Sequence, residues 1–203
     1  MAASRTTLVS SALRLSYFTI VWNGVVGAAA LVLAVLAGSP ATAGFALSAL
    51  LDSSASTVLV WRFRHERKSP EAADRVERRA QTFIVVAMFA VALYVALEAV
   101  RALATSSHAG ESVFAVVLAS LSLIVLPWLG RRKLRVAAGL PSPALRGDGV
   151  LTLAAAALAA ITLVALVVNS ALEWWWADPL AAMVIAAALA SEATRVAIRH
   201  RFG

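Results

Sequence analysis

The stretch FALSALLDSSASTVLVWRF, Phe45 to Phe63, holds one carboxylate, Asp52, followed closely by Ser53, Ser54 and Ser56 in an otherwise apolar or small run. If the stretch is a helix, Ser48, Asp52 and Ser56 stand at i, i+4 and i+8 and line one stripe with three oxygen-bearing side chains, flanked by Ser53 and Thr57. Hydroxyls and small residues alone describe a seam for close helix packing in lipid. An ionisable group does more than packing requires, because a carboxylate inside a bilayer costs about 2.5–3.5 kcal/mol even on insertion scales. Asp52 is therefore expected to face the interior of a bundle, on a path for an ion or a proton.

Sorting the eleven acids leaves one further candidate. Asp148 lies between Gly147 and Gly149 and has Thr152 four residues on, with Ala155 and Ala159 continuing that face. Two roles stand for it: a helix cap, which suits a Gly-Asp-Gly turn, and a polar group of the same site. The remaining acids fall in the basic loop after Arg62, near the opposite surface, or in terminal helix turns; Asp178, ahead of Pro179, reads as a cap for the helix that starts there.

The elements that must position these groups are membrane spans. The 203 residues are 61% hydrophobic and 14% charged, with a mean hydropathy of +0.83, a composition that excludes an ordinary soluble domain. At roughly 20 apolar residues per crossing, six helices are expected, at about 15–37, 41–61, 80–103, 112–130, 149–170 and 177–198, in one transmembrane domain over 1–203. The fold class is an all-α bundle of six transmembrane helices. The run Leu15 to Ala37 exceeds a secretory signal core, so the first helix is expected to be uncleaved. Trp174, Trp175 and Trp176 read as an interfacial aromatic belt.

Basic residues gather at alternate breaks: Arg5 and Arg14, the run Arg62 to Arg79, the run Arg131 to Arg146, and Arg195 to Arg201. Together they make seventeen of the eighteen, with only Arg101 opposite. The positive-inside rule then puts both termini in the cytoplasm. The formal charge of +7 is read as orientation, not as nucleic-acid binding. The loop RFRHERKSPEAADRVERR is expected to be a solvated hairpin, helical from Pro70. With no cysteine and three histidines, disulfides and thiolate metal sites are excluded and imidazole ligands are scarce. No His-rich cluster, nucleophile motif or nucleotide-binding glycine loop suggests an enzyme, and no cofactor is expected.

LLDSSAST, YVALEAVRAL at Tyr94 to Leu103, PALRGDGVLTL at Pro143 to Leu153 and EWWWADPLAAMVIAAALASEA at Glu173 to Ala193 together carry a resemblance to the cation diffusion facilitators, in their short six-helix form without the C-terminal cytoplasmic domain. The resemblance implies a transporter of the plasma (inner) membrane that exports zinc or another divalent cation in antiport with protons, commonly as a homodimer. The family's central site takes two ligands from helix two, as D-x-x-x-D, and two from helix five, as H-x-x-x-D or with another acid. Asp52 matches the second ligand of helix two and Ser48 falls on the first; the helix-five positions fall on Leu151 and Ala155. Asp148 lies three residues before them, where some short, six-helix relatives carry an acid, and His65 alone does not replace the loop histidines of an accessory site.

One carboxylate and the weak Ser48 hydroxyl, even with Asp148, argue against tight zinc binding, since zinc takes four N, O or S ligands. Weak and pH-dependent binding is expected, because a proton competes with the cation for the same group. The metal-site residues are thus Asp52, Asp148 and, weakly, Ser48, with Ser53, Ser56 and Thr152 along the pathway. The alternative function is a transport-inactive relative serving as a membrane partner or regulator of another protein.

Overall fold

A computed structural model describes residues 2–65, 70–106, 110, 112–140, 143–172 and 174–202. They form six helices: α1 (Ala2–Ala37), α2 (Pro40–His65), α3 (Pro70–Ala104), α4 (Val113–Gly139), α5 (Pro143–Leu172) and α6 (Ala177–Phe202). Each contains a segment long and apolar enough to cross a bilayer, and side chains such as Val21, Val25, Val35 and Leu36 lie exposed on α1, as a lipid-facing surface requires. The protein is an integral membrane protein. The loop residues 66–69 and the turn holding His108 lie outside the described residues, as do the side chains of His65 and of most of the basic loop.

The breaks between helices follow local chemistry. Gly38 takes φ +62, and the Ser39 amide closes back onto the Ala34 carbonyl at 3.1 Å, which ends α1 in a left-handed turn open to glycine. The Ser39 hydroxyl then accepts from the Thr42 amide at 3.1 Å and starts α2. Leu140 is extended, φ −121 and ψ 125, as the residue before Pro141 must be, and α4 stops there. Pro70 and Pro143 begin α3 and α5, where a missing N–H costs nothing.

α1, α2, α5 and α4 pack in a ring, α1 on α2, α2 on α5, α5 on α4 and α4 on α1, while α3 and α6 pair and lean on the α2–α5 side. The seam between pair and ring is closed by apolar side chains including Met88, Val95, Leu158 and Ile185. Between α4 and α5 the helices approach through glycine. A Cβ on Gly130 would sit 2.7 Å from Leu153 Cγ, and one on Gly149 would sit 3.0 Å from Leu134 Cδ2 and 3.2 Å from Lys133 Cβ.

Several element limits differ from the sequence reading, for one reason. α1 already begins at Ala2, well ahead of 15, and carries Arg5 and Arg14. α4 runs on through Arg131, Arg132, Lys133 and Arg135 to Gly139, and α5 starts at Pro143, ahead of Asp148. Hydropathy ends where charge begins, but Arg, Lys, Leu and Ala are good helix formers and the helix continues. Lys133, assigned to the cytoplasmic break by its neighbours, is fully buried.

Candidate cation site

Four helices converge on Asp52. The tight turn at Gly38 folds α1 back on α2, so that Asn23, 29 positions away, faces Asp52 and donates from Nδ2 to its Oδ2 at 2.7 Å. The turn between α4 and α5 does the same for Lys133 and Asp148, whose Nζ and Oδ2 lie 2.7 Å apart with side chains 0% and 3% exposed. The close approach at Gly149 brings the lysine stem against α5.

On α2, Asp52 and Ser56 stand four residues apart; on α5, Asp148 and Thr152 do the same. All four are buried, which leaves two facing i, i+4 pairs and a cage of four oxygen-bearing side chains. The ammonium of Lys133 sits in it, donating to Ser56 Oγ at 3.1 Å and to Thr152 Oγ1 at 3.0 Å and paired by charge with Asp148 Oδ2. The Ser56 hydroxyl donates to Asp148 Oδ1 at 2.7 Å. Thr152 Oγ1 is 2.9 Å from the main-chain oxygen of Asp148 and 3.3 Å from Asp52 Oδ1. A hydroxyl has one proton to give, so these two acceptors compete and the shorter bond is the stronger. Asp148 is held by the charge of Lys133, whereas Asp52 has only the amide of Asn23 and a long contact to Thr152. The Asn23 Oδ1 is buried without a hydrogen-bond partner.

A cavity of about 190 Å³ lies between the α3–α6 pair and the α2–α5 seam. Asp52 and Ser48 line it from α2, Leu151 and Ala155 from α5, and Ser191, Glu192 and Arg195 from the end of α6 nearest the C-terminus. The four positions at which the family resemblance places ligands therefore border one space, although two of them are apolar. Asp52 belongs to both the cavity and the cage. Among the described residues no three of His, Cys, Asp and Glu come together as a metal cluster.

The other sequence candidates divide by partner. Ser48 lines the cavity but donates to the Phe45 carbonyl of its own helix at 2.8 Å. Ser53 points away, toward α1, and donates to the Ile20 carbonyl at 3.2 Å, which is a helix-packing bond. Ser56 and Thr152 join the cage. Asp148, inside the second turn of α5, is an ion-pair partner and not a cap. Asp178 does cap a helix, but not its own. Its Oδ1 accepts from Ser39 Oγ at 2.6 Å and its Oδ2 from the Ala41 amide at 3.3 Å, so it ties the start of α6 to the start of α2. Trp174 and Trp176 stack beside it at 5.0 Å, both exposed.

Sequence reasoning missed Asn23 and Lys133. Reflection through the hairpin turns would have found both: Asn23 and Asp52 are near-symmetric about Gly38, and Lys133 and Asp148 about Leu140. Lys133 is also one of only two lysines among eighteen basic residues, and a compact ammonium with three donors suits a cage better than a planar guanidinium.

The cation efflux transmembrane domain matches residues 16–200 of the chain. No curated protein matches it.

Proposed function

The chain belongs to the cation efflux transmembrane domain family, and from that premise we propose that it exports a divalent cation, zinc or a similar ion, in exchange for protons, with Asp52 holding ion and proton in turn. The family makes it a membrane transporter of cations; the cargo, the exchange and the site residues are our reading. One observation carries that reading: Asp52 lies at the meeting point of a cavity and a buried oxygen cage, on the two helices that supply the family's ligands. The cavity reaches Glu192 and Arg195 near the end of the bundle that carries both termini. At the opposite end Asp178, Ser39 and Thr42, all buried, hold α2 and α6 together. A cavity reaching one end and a buried hydrogen-bonded seam at the other support our reading of this form as one half of an alternating-access cycle.

We place that open end in the cytoplasm of a plasma (inner) membrane, supported by the basic runs, and take the unit to be a homodimer. Reporter fusions at the two termini test the first, and cross-linking in native membranes tests the second. Metal-driven proton flux in proteoliposomes, with Asp52→Asn as control, tests the transport reading itself.

A second reading is favoured by the occupied cage. With Lys133 already paired with Asp148 and hydrogen-bonded to Ser56 and Thr152, the chain has the features of a relative that no longer transports and acts as a membrane partner of another protein. Flux at the level of empty liposomes, from protein that is folded, would establish it.

A further inference from the structure

We propose that the Lys133 ammonium is a tethered resident cation: it fills the cage of Asp52, Ser56, Asp148 and Thr152 when no cargo is bound, and cargo enters by displacing it. The inference rests on the transport reading above and deepens it, by naming the residue that sets how tightly the site holds its ion.

The coordination of the ammonium is the first ground. Its nitrogen lies 2.7 Å from Asp148 Oδ2 as an ion pair and donates to Ser56 Oγ at 3.1 Å and Thr152 Oγ1 at 3.0 Å, so these three oxygen neighbours come from α2 and α5. Its nitrogen therefore stands where a small cation between the two helices would stand. The paired Asp52/Ser56 and Asp148/Thr152 repeat, one turn toward the end with the termini, the i, i+4 pairing of the cavity-lining positions Ser48/Asp52 and Leu151/Ala155. The working square of oxygens has moved down one turn, and the protein's own amine is in it.

Charge is the second ground. Asp52 and Asp148 as carboxylates match a divalent ion only if the ammonium withdraws; with Lys133 in place a divalent ion would leave the buried cluster net positive, which a low-dielectric interior opposes. With the ion absent and Lys133 withdrawn, two buried carboxylates would face each other unpaired. The lysine thus keeps the empty site near neutrality. Its four-carbon stem springs from the last two turns of α4, six residues before Gly139, so the ammonium can swing toward the helix end and water while the stem stays packed.

A third ground is the spare acceptor. Asn23 Oδ1 is buried and unpartnered while Asn23 Nδ2 is bonded to Asp52, which leaves an oxygen next to the cage for an incoming ion. Lys133 is accordingly a specificity-determining residue that competes with cargo.

The test is zinc binding by calorimetry on the detergent-purified full chain, comparing the parent with Lys133→Met, Lys133→Arg and the double variant Lys133→Met/Asp148→Asn. Lys133→Met, similar in shape but uncharged, should bind Zn2+ at least tenfold more tightly than the parent. Lys133→Arg should show no gain, and the double variant should lose the gain. Because Lys133→Met strands a buried carboxylate and can unfold, a second measurement keeps the lysine. In a Lys68→Arg chain Lys133 is the only lysine; its reductive methylation, read by mass spectrometry, should rise severalfold in saturating Zn2+. Equal or weaker zinc binding by folded Lys133→Met, or methylation that zinc leaves unchanged or lowers, overturns the displacement. These outcomes separate from the transport reading, which fails if folded parent shows no metal-driven proton flux or if Asp52→Asn leaves that flux intact.

Discussion

Replacing Asp148 by Asn should destabilise the folded bundle by about 3–5 kcal/mol, the range expected when one partner of a buried ion pair is removed and the other remains. At a separation of 2.7 Å, with both side chains essentially sealed from solvent, the gross attraction at an effective dielectric of about 20 is about 6 kcal/mol. Asparagine keeps a carbonyl that can accept from Lys133 and from Ser56, which returns part of that. It cannot neutralise the ammonium, and the unbalanced charge sets the cost. Lys133→Met should cost a similar amount for the converse reason. The double variant should cost less than the sum by about 2–3 kcal/mol, the coupling typical of groups in one buried network. Unfolding in mixed micelles can be followed by tryptophan emission, since Trp22 packs against Leu126, Ala155 and Ala156 beside the site. A change below about 1 kcal/mol for Asp148→Asn, or strict additivity in the double variant, would refute the pair as a structural unit.

Two further outcomes follow from the packing and the cavity. Gly149→Ala should destabilise by about 1–3 kcal/mol and loosen the Lys133–Asp148 contact, because its Cβ meets Leu134 and Lys133, whereas Gly147→Ala, with nothing within 4 Å, should be neutral or slightly stabilising; thermal unfolding of the two variants side by side decides it. Writing ligands back as Ser48→Asp, Leu151→His and Ala155→Asp should tighten zinc binding over the parent, since those positions and Asp52 border one cavity; calorimetry showing no gain in a folded triple variant would contradict the alignment of α2 with α5.

How much could be read from the sequence varied with what each residue's neighbours disclosed. The six helices were plain because each carries a long apolar run. The Asp52 face was plain because a lone acid stands at helical spacing among hydroxyls, and its contact to Thr152 lies on that face; Asn23, on another helix, gave no such local signal. Lys133 was hidden by its surroundings. In RRKLR it reads as one more surface charge, and only the hairpin geometry at Leu140 turns it inward to Asp148. Asp148 was ambiguous because Gly-Asp-Gly suits a cap as well as a close helix contact. Asp178 was assigned to its own helix because sequence shows only local partners; its acceptors serve Ser39 and Ala41, across the bundle. The divided roles of Ser53 and Ser56, on one polar run, depend on which neighbouring helix lies beside each, and spacing alone does not specify that.

The central claim is that Asp52 carries the transported charge, and zinc-driven proton flux in proteoliposomes tests it most directly. Parent, Asp52→Asn and Ser54→Ala are reconstituted at equal amounts of folded protein; Ser54 is exposed and donates to the Leu50 carbonyl of its own helix, so it reports on general damage to α2. The account predicts flux in the parent and in Ser54→Ala, and flux reduced to the level of empty liposomes in Asp52→Asn. Parent-like flux in Asp52→Asn would contradict it.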